Sequence, residues 1–201
     1  MAAICVFCAS STTLDQRWLD LAAETGRELA RRGHTLVSGG GRVGMMGAVT
    51  DGARSAGGHT LGIIPQRLVD LEVADEASTE LVITDDMAAR KTVMIDRSDA
   101  FLTLPGGLGT LDELFEVWTT STLDVHSKPI ILLDPDGFYD GLTRWLGTLA
   151  DQGFVRPAAM DMLLTARTVT EAIDLTEATL AAGPRSGPSG ATSGATSPAT
   201  H

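Results

Sequence analysis

The sequence predicts an α/β protein with a doubly wound parallel sheet. Three observations predict it. Short apolar runs alternate along the chain with longer segments of helical apolar spacing. The runs lack polar alternation, so both faces of the sheet should be covered by helices. Two glycine clusters each follow such a run and open a helical segment. In a sheet of this kind that places a ligand at the carboxyl ends of the strands, where strand order reverses.

The elements follow in order. Ile4-Cys5-Val6-Phe7-Cys8 is a buried-strand run, and Ala9-Ser10-Ser11-Thr12-Thr13 is the polar turn after it. From Asp15 to Arg32, Trp18, Leu19, Ala22, Ala23, Leu29 and Ala30 recur at helical spacing, and Gly33 closes the helix. Thr35-Leu36-Val37 is a second strand, ending in Ser38-Gly39-Gly40-Gly41. Val43 to Ala56 is a helix of small residues stopped by Gly57-Gly58. Thr60-Leu61-Gly62-Ile63-Ile64 is a third strand, broken by Pro65. Glu80-Leu81-Val82-Ile83 is a fourth. Asp85 or Asp86 then caps a helix through Met94 and Ile95.

Ala100-Phe101-Leu102-Thr103-Leu104 is a fifth strand, ending in Pro105-Gly106-Gly107. Leu108 to about Thr122 is helical, with Leu111, Leu114, Phe115 and Trp118 on one face. Pro129-Ile130-Ile131-Leu132-Leu133 is a sixth strand. Tyr139 to Asp151 and Val169 to Ala182 are two more helices, with a strand at Met162-Leu163-Leu164 between them. Residues 1–182 are expected to form one domain. From Gly183 to His201, Gly, Pro, Ser, Thr and Ala dominate, and no apolar side chain is larger than Ala. That composition predicts a disordered tail.

Composition removes several classes. Of the 201 residues, 43% are apolar, enough for a sizeable core. Asp and Glu exceed Lys and Arg by 26 to 15, a net charge of −11. That charge argues against a nucleic-acid partner, which would call for a basic face. No apolar stretch is long enough to cross a bilayer, and no signal peptide is evident, so a cytoplasmic protein without a membrane partner is expected. Two cysteines make no disulfide framework. His34, His59, His126 and His201 have no metal-ligand spacing, so no metal is expected.

Three stretches carry chemistry. Gly39-Gly40-Gly41-Arg42-Val43-Gly44 fits G-x-G-x-x-G formally. A dinucleotide site would want an acid near the end of the next strand, and Ile63-Ile64-Pro65-Gln66 supplies none. A nucleotide-contacting turn and a purely structural turn both remain open. The second stretch is Pro105-Gly106-Gly107-Leu108-Gly109-Thr110-Leu111-Asp112-Glu113. Its glycines let backbone approach a ligand, and the helix after it offers free N–H groups and a positive dipole end. Thr110 adds a hydroxyl. No lysine follows in the Walker A position, which argues against a nucleoside triphosphatase. Glu113 lies one turn inside that helix, beside the proposed anion site. The third stretch is Met87-Ala88-Ala89-Arg90-Lys91. Arg90 and Lys91 are about 100° apart on a helix and can flank one cleft. Arg90 suits bidentate binding of phosphate or carboxylate.

Met-x-x-Arg-Lys followed by Pro-Gly-Gly-x-Gly-Thr-x-x-Glu resembles the paired signature of the LOG ("Lonely Guy") family. Cys5 to Ser11, Ser38 to Gly47, Gly62-Ile63-Ile64-Pro65 and His126-Ser127-Lys128-Pro129 resemble that family as well. Its members are cytokinin riboside 5′-monophosphate phosphoribohydrolases, often labelled lysine decarboxylases. The resemblance implies a Rossmann-like three-layer sandwich, usually a homodimer, needing neither cofactor nor metal. The implied partner is a small nucleotide, AMP or N6-prenylated AMP, cleaved to free base and ribose 5-phosphate. Arg90 and Glu113 are the implied catalytic pair. Glu72, Lys91, Gly106, Gly107, Leu108, Gly109, Thr110, Leu111, Asp112 and Thr119 are implied to line the nucleotide site, with Ser10, Gly40 and Gly41.

The residue types suit that reaction. Cleavage builds oxocarbenium character on the ribose. A carboxylate such as Glu113 stabilises that charge, orients the water and takes its proton. Holding the phosphate fixes the sugar against it. Arg90 either stabilises developing negative charge or positions Glu113. The sequence departs from the family at Ala88-Ala89, where the family usually has His-Glu, and at Thr120-Ser121-Thr122-Leu123-Asp124. Both departures bear on substrate preference more than on reaction type.

Two other readings compete. A nucleotide-binding or sensor module would keep the cradle without turnover, but a mere binder has no need of a carboxylate beside the sugar. An amino-acid decarboxylase would want a lysine for pyridoxal phosphate. Lys91 and Lys128 are the only lysines, and neither has a context that argues for a Schiff base. Cys5 and Cys8 form C-x-x-C on a strand rather than at a helix start, which speaks against redox chemistry. Trp18 and Trp145 are expected to pack on helix faces, and His34 and His59 to lie on the surface. The small-residue helix after Val43 should pack closely on the sheet or on a partner subunit.

Overall fold

The computed structural model describes residues 1–71 and 74–183. In chain order the first elements are β1 (Ala3–Phe7), α1 (Gln16–Arg31), β2 (Thr35–Ser38), α2 (Gly44–Ser55), β3 (Thr60–Pro65), α3 (Gln66–Asp70), β4 (Glu80–Thr84) and α4 (Met87–Asp96). There follow β5 (Ala100–Thr103), α5 (Leu108–Thr122), β6 (Ile130–Leu133), α6 (Asp140–Asp151), α7 (Pro157–Met160), β7 (Leu163–Ala166) and α8 (Val169–Ala182).

The strands form one seven-stranded sheet in the order β4-β3-β2-β1-β5-β6-β7. Every pairing in it is parallel. Strand order reverses at β1, which lies between β2 and β5. Alternation along β1 divides the core into two. Ile4, Val6 and Cys8 face Ala22 and Leu29 of α1, Val49 of α2 and Ile173 of α8. Cys5 and Phe7 face Met94 of α4, Leu114 and Trp118 of α5 and Leu146 of α6. This is the predicted three-layer sandwich. It also sends the two cysteines to opposite faces, and both are buried and free.

Local chemistry sets the element ends. Asp15 caps α1 by accepting from Arg17 N, and Gly33 takes φ +77° just beyond it. Asp86 rather than Asp85 caps α4, accepting from Ala89 N at 2.8 Å. The small residues of α2 pack closely on α1, while Met45, Val49 and Ala53 join the core on the sheet. A Cβ at Gly26 would lie 1.9 Å from Val49 O, and one at Gly52 would lie 2.1 Å from Ala23 O. The two backbones therefore touch, which only glycine permits.

Several expectations are corrected. His34 is buried, because its Nε2 is 2.9 Å from Glu177 Oε1 on α8. A charged partner on a distant helix replaces the water expected around it. Trp145 is mostly exposed, since α6 turns Leu146 inward in its place. Trp18 does pack, edge-on against Phe138. Pro65 is the last residue of β3, paired with Thr84, instead of lying beyond the strand's end. The helices α3 and α7 were not anticipated, being too short to show a helical period. The predicted tail, apart from Gly183, lies outside the described residues, as does Glu72.

Candidate active site

The two glycine turns lie on either side of the carboxyl end of β1. Gly39-Gly40-Gly41 leaves β2, and Pro105-Gly106-Gly107 leaves β5. Gly40 takes φ +70°, and its carbonyl accepts Asp75 N at 2.8 Å. Gly41 makes an antiparallel bridge to Ala74. Arg54 of α2 holds Asp75 through Oδ1 at 2.8 Å and Oδ2 at 2.7 Å. The 74–78 segment is thereby pinned over the first glycine turn. Ser10 is exposed on the turn after β1. The start of α2 packs on that turn, with Met45 N donating to Ala9 O at 2.9 Å.

The second turn opens α5. Gly107 is its N-cap position and no side chain caps it. The first N–H groups of a helix have no intrahelical acceptor, so those of Leu108, Gly109 and Thr110 are available to an anion. Gly106 lies against Thr110, where a Cβ would stand 2.2 Å from Thr110 Oγ1.

Arg90 reaches into this edge from α4. Its Nε donates to Ile63 O at 3.1 Å, and its Nη1 stands 3.2 Å from Glu113 Oε1. The side chains are only 8% and 12% exposed. Gly39 makes room for the guanidinium, since a Cβ there would lie 1.7 Å from Nη2. Burial pushes the Glu113 carboxyl above its ordinary pKa, and the Arg90 charge opposes that shift without cancelling it. The pair is thus a poised carboxylate braced by a fixed cation.

Lys91 faces the same helix differently. Its Nζ lies 2.6 Å from Glu116 Oε2 and 3.1 Å from Asp112 Oδ2. The hydrogen bond to Glu116, then that to Asp112, raises its pKa against the cost of burial and keeps it charged. Lys128 Nζ donates to Ile95 O at 2.6 Å. Both lysines of the chain are therefore engaged. Cys5 and Cys8 have thiols pushed up by burial, which leaves them unreactive.

The structure thus brings together Arg90, Lys91, Asp112 and Glu113 beside the Gly106–Leu111 turn. Ser10, Gly40 and Gly41 lie on adjacent turns of the same sheet edge. Thr119 is exposed two turns farther along α5, in a groove with Phe115, Trp118 and Phe154. It does not converge on Glu113 within the protomer. Sequence reasoning missed Glu116, Asp75 and the Gly39–Arg90 contact. Glu116 had a signal, being one turn beyond Glu113. The other two rest on long-range packing with no spacing rule.

Known proteins bear on this geometry. The family described as possible lysine decarboxylase matches residues 46–176. A cytokinin riboside 5′-monophosphate phosphoribohydrolase of Mycobacterium tuberculosis is 52% identical over 170 residues, 85% of this chain and 90% of that one. The chain belongs to the LOG family. Arabidopsis thaliana cytokinin riboside 5′-monophosphate phosphoribohydrolase LOG5 is 41% identical over 175 residues, 87% of this chain and 77% of that one. The molybdenum cofactor carrier protein of Chlamydomonas reinhardtii shares the fold, with a TM-score of 0.69 at 24% identity over 89% of this chain and 98% of that one.

Proposed function

We propose that this LOG-family protein is an enzyme that hydrolyses the N-glycosidic bond of adenosine 5′-monophosphates, including N6-substituted ones. The observation that carries the reading is the buried Arg90–Glu113 pair beside the uncapped start of α5. The names of the M. tuberculosis and A. thaliana relatives support it. In this reading the 5′-phosphate sits on the N–H groups of Leu108, Gly109 and Thr110, where the helix dipole favours it. The sugar is then fixed against Glu113. As the bond from C1′ to the base breaks, positive charge on the ribose is stabilised by the Glu113 carboxylate. Water adds its hydroxyl to C1′. Its proton passes to Glu113 and on to the departing base. A carboxyl with a raised pKa suits both steps.

The engaged lysines count against an amino-acid decarboxylase. Lys91 is held as a cation between two carboxylates, and a Schiff base needs a neutral amine. Among the described residues no helix is long and apolar enough to cross a membrane. The reading includes a cytoplasmic location, which suits the free, buried Cys5 and Cys8. It also includes a homodimer, for which the exposed Leu108, Leu123, Val125 and Phe154 provide apolar surface. Light scattering of purified protein tests the dimer.

The activity is tested by chromatography after incubation with AMP and N6-isopentenyl-AMP in parallel. Free base and ribose 5-phosphate are the expected products, and the rate ratio reports whether the prenyl group matters. Intact nucleotide from protein that still binds AMP would establish a binding module instead.

A further inference from the structure

Tyr139 lies at the start of α6, far in sequence from both glycine turns, yet it contacts one of them. Its side chain is buried, at 3% exposure. Its hydroxyl donates to Leu104 O at 2.7 Å. The residue after Leu104 is Pro105, which has no N–H and cannot extend the sheet ladder. Leu104 is fully buried, so without the phenol its carbonyl would lose its partner in a dry setting. Tyr139 is itself held. Asp134 Oδ1 accepts its backbone N–H at 2.7 Å, and Asp134 Oδ2 pairs with Arg167 Nη1 at 2.7 Å.

The turn is therefore fixed at both ends, by Tyr139 on one side and by Gly106 packed on Thr110 on the other. The groups left to meet an anion are the free N–H groups at the start of α5, where no side chain caps the helix. Their direction is set by the peptide planes of residues 104–106. We propose that the Tyr139 hydroxyl is the positioning group of the phosphate cradle. It aims the N–H groups of Gly107 to Thr110 and so sets affinity for a 5′-phosphate without touching it. This inference rests on the nucleotide reading above.

The test compares the wild type with Tyr139→Phe, which removes only the hydroxyl. Arg167→Met is the control: it breaks the ion pair with Asp134 and leaves the phenol in place. Hydrogen exchange of the 104–111 segment is measured first, because it needs no ligand. Tyr139→Phe is expected to speed exchange there selectively, and unchanged exchange would overturn the proposal. Binding of AMP, ribose 5-phosphate and adenosine is then titrated. Tyr139→Phe is expected to weaken AMP and ribose 5-phosphate about ten-fold, the scale of a lost hydrogen bond, and to leave adenosine unchanged. Arg167→Met should lower Tm but preserve the AMP-to-adenosine ratio. A ratio that moves equally in both variants, or in neither, would reduce Tyr139 to a structural role and overturn the proposal. Wild-type protein that binds neither phosphate compound would overturn the nucleotide reading, and the positioning role with it. That failure appears in the wild type alone and is distinct from a failure of the variant.

Discussion

Arg90 Nη1 lies 3.2 Å from Glu113 Oε1, with both side chains nearly out of solvent. A buried ion pair is weak evidence for stability, because desolvation offsets much of the attraction. Its value here lies in placement at the reversal of strand order, beside a helix start that favours anions. Glu113→Ala is therefore expected to retain AMP binding and to lose about 10²–10⁴-fold in kcat, the range of a positioned acid–base group. Chromatographic rates with a parallel AMP titration check this. Undiminished turnover would remove Glu113 from the mechanism.

The raised pKa of Glu113 sets a pH dependence. Burial is the largest cause, and the neighbouring Arg90 charge lowers the value by less. The carboxylate has to be ionised to stabilise the ribose cation. The acidic limb of kcat/KM is thus expected above the usual carboxylate range. Stability moves the other way. A folded-state pKa above the unfolded one means that the folded protein binds more protons between the two values. The contribution of Glu113 to stability is then complete at low pH and is lost as pH rises through the folded pKa. The Tm of the wild type relative to Glu113→Ala should fall from acidic to neutral pH. A difference constant with pH would contradict the raised value.

Away from the site, Gly26 tests the packing of α1 on α2. A Cβ there would stand 1.9 Å from Val49 O and 2.8 Å from Ala53 N, both backbone atoms. Backbone cannot swing aside as a side chain does, so the helices must separate. Gly26→Ala is expected to cost about 1–3 kcal/mol, or roughly 2–12 °C in Tm for a domain of this size. Activity well below the melting range should survive, because neither helix contributes to the Arg90–Glu113 pair. A thermal melt beside an activity assay separates the two effects.

The fold was largely legible because its signals are local. Runs such as Ile130 to Leu133 read directly as buried parallel strands, and Gly33 marked the end of α1. Arg90, Lys91 and Glu113 were legible through motif spacing on two consecutive helices. What escaped was decided by distant contacts. His34 is buried because Glu177 meets it from α8. Lys91, read as a nucleotide ligand, is held by Asp112 and Glu116, and nothing in Arg-Lys spacing announces those partners. Tyr139 gives no signal at all, since its hydroxyl meets the carbonyl of Leu104 just beyond β5, far away in sequence.

Gly39 offers the sharpest separation of stability from function. It precedes the glycine of positive φ, Gly40, and its own backbone is not in the left-handed region. Its requirement is spatial. A Cβ would fall 1.7 Å from Arg90 Nη2 and 2.9 Å from Cζ, at the far end of a flexible side chain. Gly39→Ala is thus expected to displace the guanidinium instead of the fold, with Tm lowered by no more than a few degrees, the scale of about 1 kcal/mol. The displaced Arg90 would lose its hold on Ile63 O and its alignment with Glu113. A fall in kcat/KM of at least about ten-fold should follow, since misplaced positioning groups forfeit orientation. Gly39→Ser should behave alike, because any Cβ meets the same atom. Wild-type activity in both variants would show that Arg90 tolerates displacement, and would end its assignment as a fixed partner of Glu113.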